Sequence, residues 1–110
     1  MIRSDTANKL AQEIRESEEY KLYKQRKDEI QNDPDKKQKV EDFEKLRYEV
    51  QLIAYTGEKK DEEKNKKLEE MYMTLVENKE IKEYFDLEVK FNIMIADVNK
   101  IIAEAIKDVL

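Results

Sequence analysis

The stretch from Asn78 to Leu110 carries an apolar pattern that only a long helix can satisfy. Its apolar side chains return at alternating steps of three and four residues, and Glu88 alone interrupts them. These positions are Ile81, Tyr84, Phe91, Ile95, Val98, Ile102, Ala105 and Val109. Such steps place side chains on one face of a helix, and a seven-residue repeat is typical of helices that pack along one another.

The apolar face of this helix is wide as well as long. Further apolar residues flank it: Leu87, Met94 and Ile101 on one side, Phe85 and Ile106 on the other. At about 1.5 Å per residue, about 30 residues form a rod of roughly 45–50 Å, which exceeds the width of a compact domain of this size. Part of the helix must therefore project, and we expect a second copy of the chain to cover its apolar end. The predicted dimer seam consists of Tyr84, Phe91, Ile95, Val98, Ile102 and Ile106.

The rest of the chain also favours helices. Charged residues make up 45% of the 110 residues, and there is only one glycine and one proline, so few residues stop a helix. Ser4 and Asp5 are both suitable caps for a first helix. Ser17 is a suitable cap for a second, although one bent helix is the alternative. We predict an all-α protein with a single domain over residues 1–110, in which four to five helices form a bundle with a long C-terminal helix.

The clearest boundary lies at Asp33 and Pro34. Proline cannot continue the preceding helix but suits the first turn of a new one, and aspartate can cap that turn. We expect this third helix to extend from about residue 35 to residue 56, with Gly57 closing it in a left-handed conformation. Residues 58–67 contain no apolar side chain, so they predict a solvated loop that becomes the polar start of a fourth helix.

Composition excludes several kinds of function. The chain has no cysteine and no histidine, which removes thiolate chemistry, the commonest general base and the commonest transition-metal ligand. A net charge of −5 argues against direct binding to nucleic acid. No run of 18 apolar residues and no signal peptide are present, so we expect a cytoplasmic protein that does not insert into membranes. We predict no enzymatic activity and no cofactor.

Carboxylate side chains are the remaining candidates for chemistry. Pairs at helical spacing, such as Glu41 with Glu44 and Glu80 with Glu83, are unavoidable in so acidic a sequence. A helical di-metal site combines such acids with Glu-x-x-His pairs, which this chain cannot supply. We interpret the acids as structural or solvated. A carboxylate-based metal-binding protein or enzyme remains the alternative.

Glu88 is the one charged residue on the apolar seam of the last helix. It either lies at the edge of the seam or is a buried polar residue that fixes how helices pair. Arg47 has a comparable position on the third helix, between Phe43 and Val50. A pair between Glu88 and Arg47 would satisfy both side chains, and we offer it as a hypothesis.

Tyrosine outnumbers the other aromatic residues, with six tyrosines against three phenylalanines and no tryptophan. Most tyrosines of this kind occupy half-buried positions with the hydroxyl in water. Tyrosine is also enriched at protein interfaces. Of the six, Tyr20 and Tyr23 are the residues we select as a possible partner face.

Four segments in order resemble the YlbF/YmcA/YheA family of small bacterial cytoplasmic helical proteins. They are AQEIRESEEYKLYK from Ala11, the Asn32-Asp33-Pro34 break, Ala54-Tyr55-Thr56-Gly57, and ENKEIKEYFDLEVKFN from Glu77. The resemblance covers nearly the whole chain. It implies an all-helical protein that associates as a dimer, and the YheA-like branch is the most similar.

The same resemblance implies a regulatory role. Some members of the family act in competence, sporulation and biofilm control, within a complex that modulates the membrane-associated endoribonuclease RNase Y. Those members can carry cysteines tied to an iron–sulfur cluster, and this chain, which has no cysteine, cannot bind a cluster in that way. We therefore expect a non-catalytic regulatory or adaptor protein, a homodimer with possible protein partners in a regulatory complex.

Overall fold

A computed structural model describes residues 3–57 and 61–110 and shows only helices and turns within them. The elements are α1 (Ser4–Glu16), α2 (Glu18–Gln31), α3 (Pro34–Thr56), α4 (Glu62–Leu75), α5 (Lys79–Ile106) and a final 3-10 turn, Lys107–Val109. The predicted all-α class, with four to five helices and a long last one, is confirmed. At about 1.5 Å per residue, the 28 residues of α5 form a rod of about 42 Å.

Ser17 separates the first two helices. Its backbone is extended, with φ −65° and ψ 148°. Its hydroxyl donates a hydrogen bond to the Ile14 carbonyl at 2.5 Å and accepts one from the Tyr20 amide at 3.2 Å. The predicted cap of α2 by Ser17 is confirmed, and the same side chain also closes α1. The predicted cap of α1 is wrong, because Ser4 is already helical and Arg3 occupies the cap position without a side-chain hydrogen bond.

The third helix has the predicted ends, with its first residue one position earlier. The Asp33 carboxylate accepts hydrogen bonds from the amides of Asp35 and Lys36 at 3.1 and 3.2 Å, and Pro34 occupies the first turn. Gly57 ends the helix with φ 75°, a conformation that costs glycine little because it has no Cβ.

Short polar side chains also start the last two helices. Asp61 accepts a hydrogen bond from the Lys64 amide at 3.1 Å, and Asn78 accepts one from the Ile81 amide at 3.2 Å. Residues 58–60 of the predicted loop lie outside the described part of the chain. From Glu62 onward the segment is helical and forms the polar start of α4.

The chain divides into two compact units. The first comprises the described residues up to Lys27 together with Tyr84–Leu110, and the second comprises Asp28–Glu83. In the second unit, α3 packs against α4, and the Phe43 and Tyr72 rings lie 6.0 Å apart. The buried residues of that unit are Ile30, Val40, Phe43, Leu46, Leu75 and Ile81.

One ion pair joins distant parts of the second unit. Lys36, near the start of α3, donates a hydrogen bond to the carboxylate of Glu80, in the first turn of α5, and also lies 3.7 Å from the Asp33 carboxylate. The hydrogen bond to Glu80 is the main reason that the pKa of Lys36 is raised above 10.5. This pair fixes the start of α5 beside the start of α3.

Candidate interaction surface on the first and last helices

An aromatic cluster holds α2 against α5 in the first unit. The Tyr23 ring lies 5.6 Å from the Tyr84 ring and 5.3 Å from the Phe91 ring, and Tyr20 lies 6.3 Å from Phe91. Tyr20 and Tyr23, the two residues predicted to form a partner face, are therefore half-buried and pack against α5. Their role as a partner face stays a prediction, and only the exposed part of each side chain could contact a partner.

The charged residue on the seam, Glu88, lies beside this cluster. Its carboxylate accepts a hydrogen bond from the Tyr23 hydroxyl at 3.4 Å in a partly buried setting, a long distance for such a bond. On α3, the Arg47 guanidinium lies 5.5 Å from the centre of the Phe43 ring, within the range of a cation–π contact. The pair between Glu88 and Arg47 stays a prediction.

Exposure rises along the predicted dimer seam toward the C-terminus. Tyr84 is only 2% exposed, so it belongs to the core of a single chain. Phe91, Ile95 and Val98 are half-buried. Ile102 is 50% exposed and Ile106 is 44% exposed. Every residue from 101 to 110 is exposed, so the surface open to a second copy lies mainly in the last turns of α5.

A groove lies on the flank of α5, beside the seam. It has a volume of about 470 Å³. Its apolar walls come from α5 and its polar rim includes one residue of α2; the lining residues are Glu19, Lys90, Ile93, Met94, Asp97, Val98 and Ile101. Ile93 and Ile101 are both more than half exposed, so the apolar surface of the groove is open to water.

The first helix presents a second uncovered apolar face. Ala7, Leu10, Ala11 and Ile14 lie on one side of α1 at helical spacing. None of the 13 residues from Ser4 to Glu16 is buried, and Leu10 is 38% exposed. A helix of this length is marginal in water without packing, so α1 needs a surface against which to dock.

The structure gives no support to a metal site. Among residues 3–57 and 61–110, no three Asp or Glu side chains come together in a way that could hold a metal ion. No helix in that part of the chain is long and apolar enough to cross a membrane.

The chain matches, over residues 4–107, the family model described as control of competence regulator ComK, YlbF/YmcA. It belongs to the YlbF/YmcA family. The match spans all five helices, so the resemblance of the four sequence segments is confirmed. The description of the family refers to regulation and names no enzymatic activity.

Proteins of similar sequence are found in several bacteria. A UPF0342 protein of Symbiobacterium thermophilum is 32% identical over 102 residues, which cover 93% of this chain and 91% of that protein. A UPF0342 protein of Desulfitobacterium hafniense is 36% identical over 106 residues, with coverage of 96% and 86%. Similarity extends over nearly the full length of each protein.

A solved structure has the same fold. The protein of unknown function (DUF964) from Bacillus stearothermophilus superimposes with a TM-score of 0.80 and covers 94% of this chain and 91% of its own. Its sequence identity is 17%, so this likeness concerns the fold alone.

Sequence reasoning missed two features of this YlbF/YmcA family member. The groove on α5 was missed because two of its lining residues, Met94 and Ile101, appear in the sequence only as additional apolar residues beside the seam. The bond between Lys36 and Glu80 was missed because no local pattern links residues 44 positions apart.

Proposed function

We propose that this chain is a non-catalytic regulatory protein that acts through protein–protein contacts, and that its working form is a cytoplasmic homodimer joined along the C-terminal half of α5. The observation that carries the proposal is the uncovered apolar end of that helix. The large apolar residues exposed there are Ile101, Ile102, Ile106, Val109 and Leu110. Monomeric proteins rarely expose a contiguous apolar surface of this kind unless it is a binding site.

A second copy of the chain is the occupant that best fits this surface. A two-fold dimer brings the same patch of both subunits together, so a patch must be complementary to itself. The face formed by Phe91, Ile95, Val98 and Ile102 meets that condition, because it is apolar along its length and follows the seven-residue repeat of paired helices. Charged residues such as Lys100 lie on the other side of α5.

The dimer would suit an adaptor. Two-fold symmetry presents every other surface twice, so one dimer can hold two partner molecules, or two sites of one partner, at a fixed separation. The family description, control of competence regulator ComK, supports a regulatory process. We infer that this process is developmental control, such as competence, sporulation or biofilm formation, or bacterial RNA processing.

Molar mass in solution tests the dimer. Light scattering on the wild type should give twice the chain mass, and Ile95→Glu combined with Ile102→Glu should give a monomer because two charges enter the seam of each copy. Lys100→Glu, on the opposite face of α5, is the matched control and should stay dimeric. A wild type that remains monomeric at high concentration would overturn the proposed assembly.

Gene replacement in the source bacterium tests the regulatory role. The chromosomal gene is deleted, or replaced by the double-glutamate variant or by Lys100→Glu, and transcript levels of competence and biofilm genes are measured. We expect the double variant to resemble the deletion and Lys100→Glu to resemble the wild type, provided immunoblots show equal amounts of protein. A deletion that leaves transcript levels and RNA processing unchanged would overturn the regulatory proposal.

A further inference from the structure

We propose that, in this dimer, α1 of each copy lies in the α5 groove of the other copy. The inference rests on the proposed homodimer and adds a second pair of contacts to it. The groove on α5 and the apolar face of α1 are two apolar surfaces of the first unit that lie outside the paired seams. The proposal places one against the other.

The groove lies mainly on the flank of α5 and shares only Val98 with the seam. Met94 and Ile101 each precede a seam residue by one position, which rotates them by about 100° around the helix. Pairing of two seams therefore leaves these side chains beside the contact and still open to water. Because Ile101 is 71% exposed, covering it would remove a large apolar surface from water.

The apolar face of α1 has the size that the groove requires. Ala7 to Ile14 spans about 10 Å, and the groove extends from Lys90 to Ile101, about 16 Å. Two of the four apolar residues on α1 are alanines, and small residues let helix axes approach closely. Leu10 and Ile14 are the two large side chains of this face, and Leu10 would enter between Met94 and Ile101.

The charges beside the two surfaces are complementary. The rim of the groove carries Glu19 and Asp97 together with Lys90. The apolar face of α1 is flanked by Arg15 on one side and by Glu13 on the other. When α1 is docked, Arg15 can therefore lie beside an acidic residue at one edge of the groove, and Glu13 can lie beside Lys90 at the other edge. Pairs of this kind contribute little affinity but favour one orientation.

The groove is open although α1 of the same chain is already folded. It is lined by six residues of α5 and by Glu19 of α2, and α1 ends only three residues before Glu19. The helix that would fill it must therefore come from elsewhere, and in a two-fold dimer α1 of the other copy is available in equal number. The extended backbone at Ser17 gives α1 a direction different from that of α2.

Disulfide trapping tests this arrangement, since the chain has no cysteine of its own. Two differently tagged chains are co-expressed, one with Leu10→Cys and the other with Ile101→Cys or Met94→Cys. Mild oxidation should link the two tags through at least one of these two positions, because Leu10 lies between Met94 and Ile101 in the proposed contact. Gln12→Cys, on the opposite side of α1, is the matched control and should react at least about tenfold more slowly.

A binding measurement gives an independent reading. Leu10→Asp should weaken dimerisation by about tenfold or more, since each dimer contains the contact twice, whereas Gln12→Asp should have little effect. Equal reaction rates for Leu10→Cys and Gln12→Cys in a dimeric protein would overturn the α1 contact and leave the homodimer intact. A monomeric wild type would instead overturn the homodimer itself, so the two failures are distinguishable.

Discussion

Replacing Ile102 with alanine should weaken the proposed homodimer without unfolding the chain. Ile102 is 50% exposed in the single chain, so about half of its side chain is available for burial against a second copy. Burying a whole isoleucine contributes about 1.5–3 kcal/mol, which gives about 1 kcal/mol for half of it. A two-fold interface contains the residue twice, so the loss is about 2 kcal/mol, equivalent to a roughly 10- to 30-fold higher Kd.

Sedimentation equilibrium over a dilution series measures this change directly. Lys100→Ala is the matched control, because residue 100 lies two positions away on the opposite side of α5, and its Kd should stay within about twofold of the wild type. Urea unfolding of both variants, at concentrations where the wild type is monomeric, should differ from the wild type by less than about 0.5 kcal/mol. An unchanged Kd for Ile102→Ala, or an equal loss for Lys100→Ala, would refute the assignment of the seam.

Three further predictions concern the second unit. Phe43→Ala should lower the free energy of unfolding by about 3–5 kcal/mol in urea titration, because it empties a buried site, whereas Tyr55→Ala, at a residue 91% exposed, should change it by less than about 0.5 kcal/mol. Asp33→Ala should cost about 1 kcal/mol through loss of the α3 cap, and Asp33→Asn should cost less in the same assay because asparagine also caps. Glu80→Gln should destabilise the protein at neutral pH, and this difference should disappear above the raised pKa of Lys36. A raised pKa of Lys36 means that folding favours its protonated form. The stability that this form contributes is lost as pH rises through that pKa. A stability difference between the wild type and Glu80→Gln that persists at high pH would contradict the assigned ion pair.

Helix boundaries could be predicted from the sequence because their causes are local. The carboxylate of Asp33 reaches amides only two and three residues ahead. Pro34 and Gly57 act through their own backbone angles. The prediction failed at Ser4, where the helix begins one residue earlier than a Ser4 cap requires and two residues earlier than an Asp5 cap requires.

The candidate surfaces were only partly predictable. The sequence indicated that the end of α5 is apolar and longer than one chain can cover, and the exposure of residues 101–110 agrees. It also placed Tyr84 on the seam, where the structure buries it against Tyr23 and Phe85. Residues that pack within a chain and residues that meet a partner follow the same helical repeat, so periodicity alone could not separate them.

The sequence by itself determined the helical class, most of the places where the helices begin and end, and which face of each helix is apolar. All of these depend on residues within about one turn of each other. Only the tertiary structure decided which parts of those faces are covered: Tyr84 is buried, Ile102 is half open, and the flank at Met94 and Ile101 forms a groove. Coverage depends on side chains distant in sequence, such as Tyr23 on α2, whose positions no local pattern specifies.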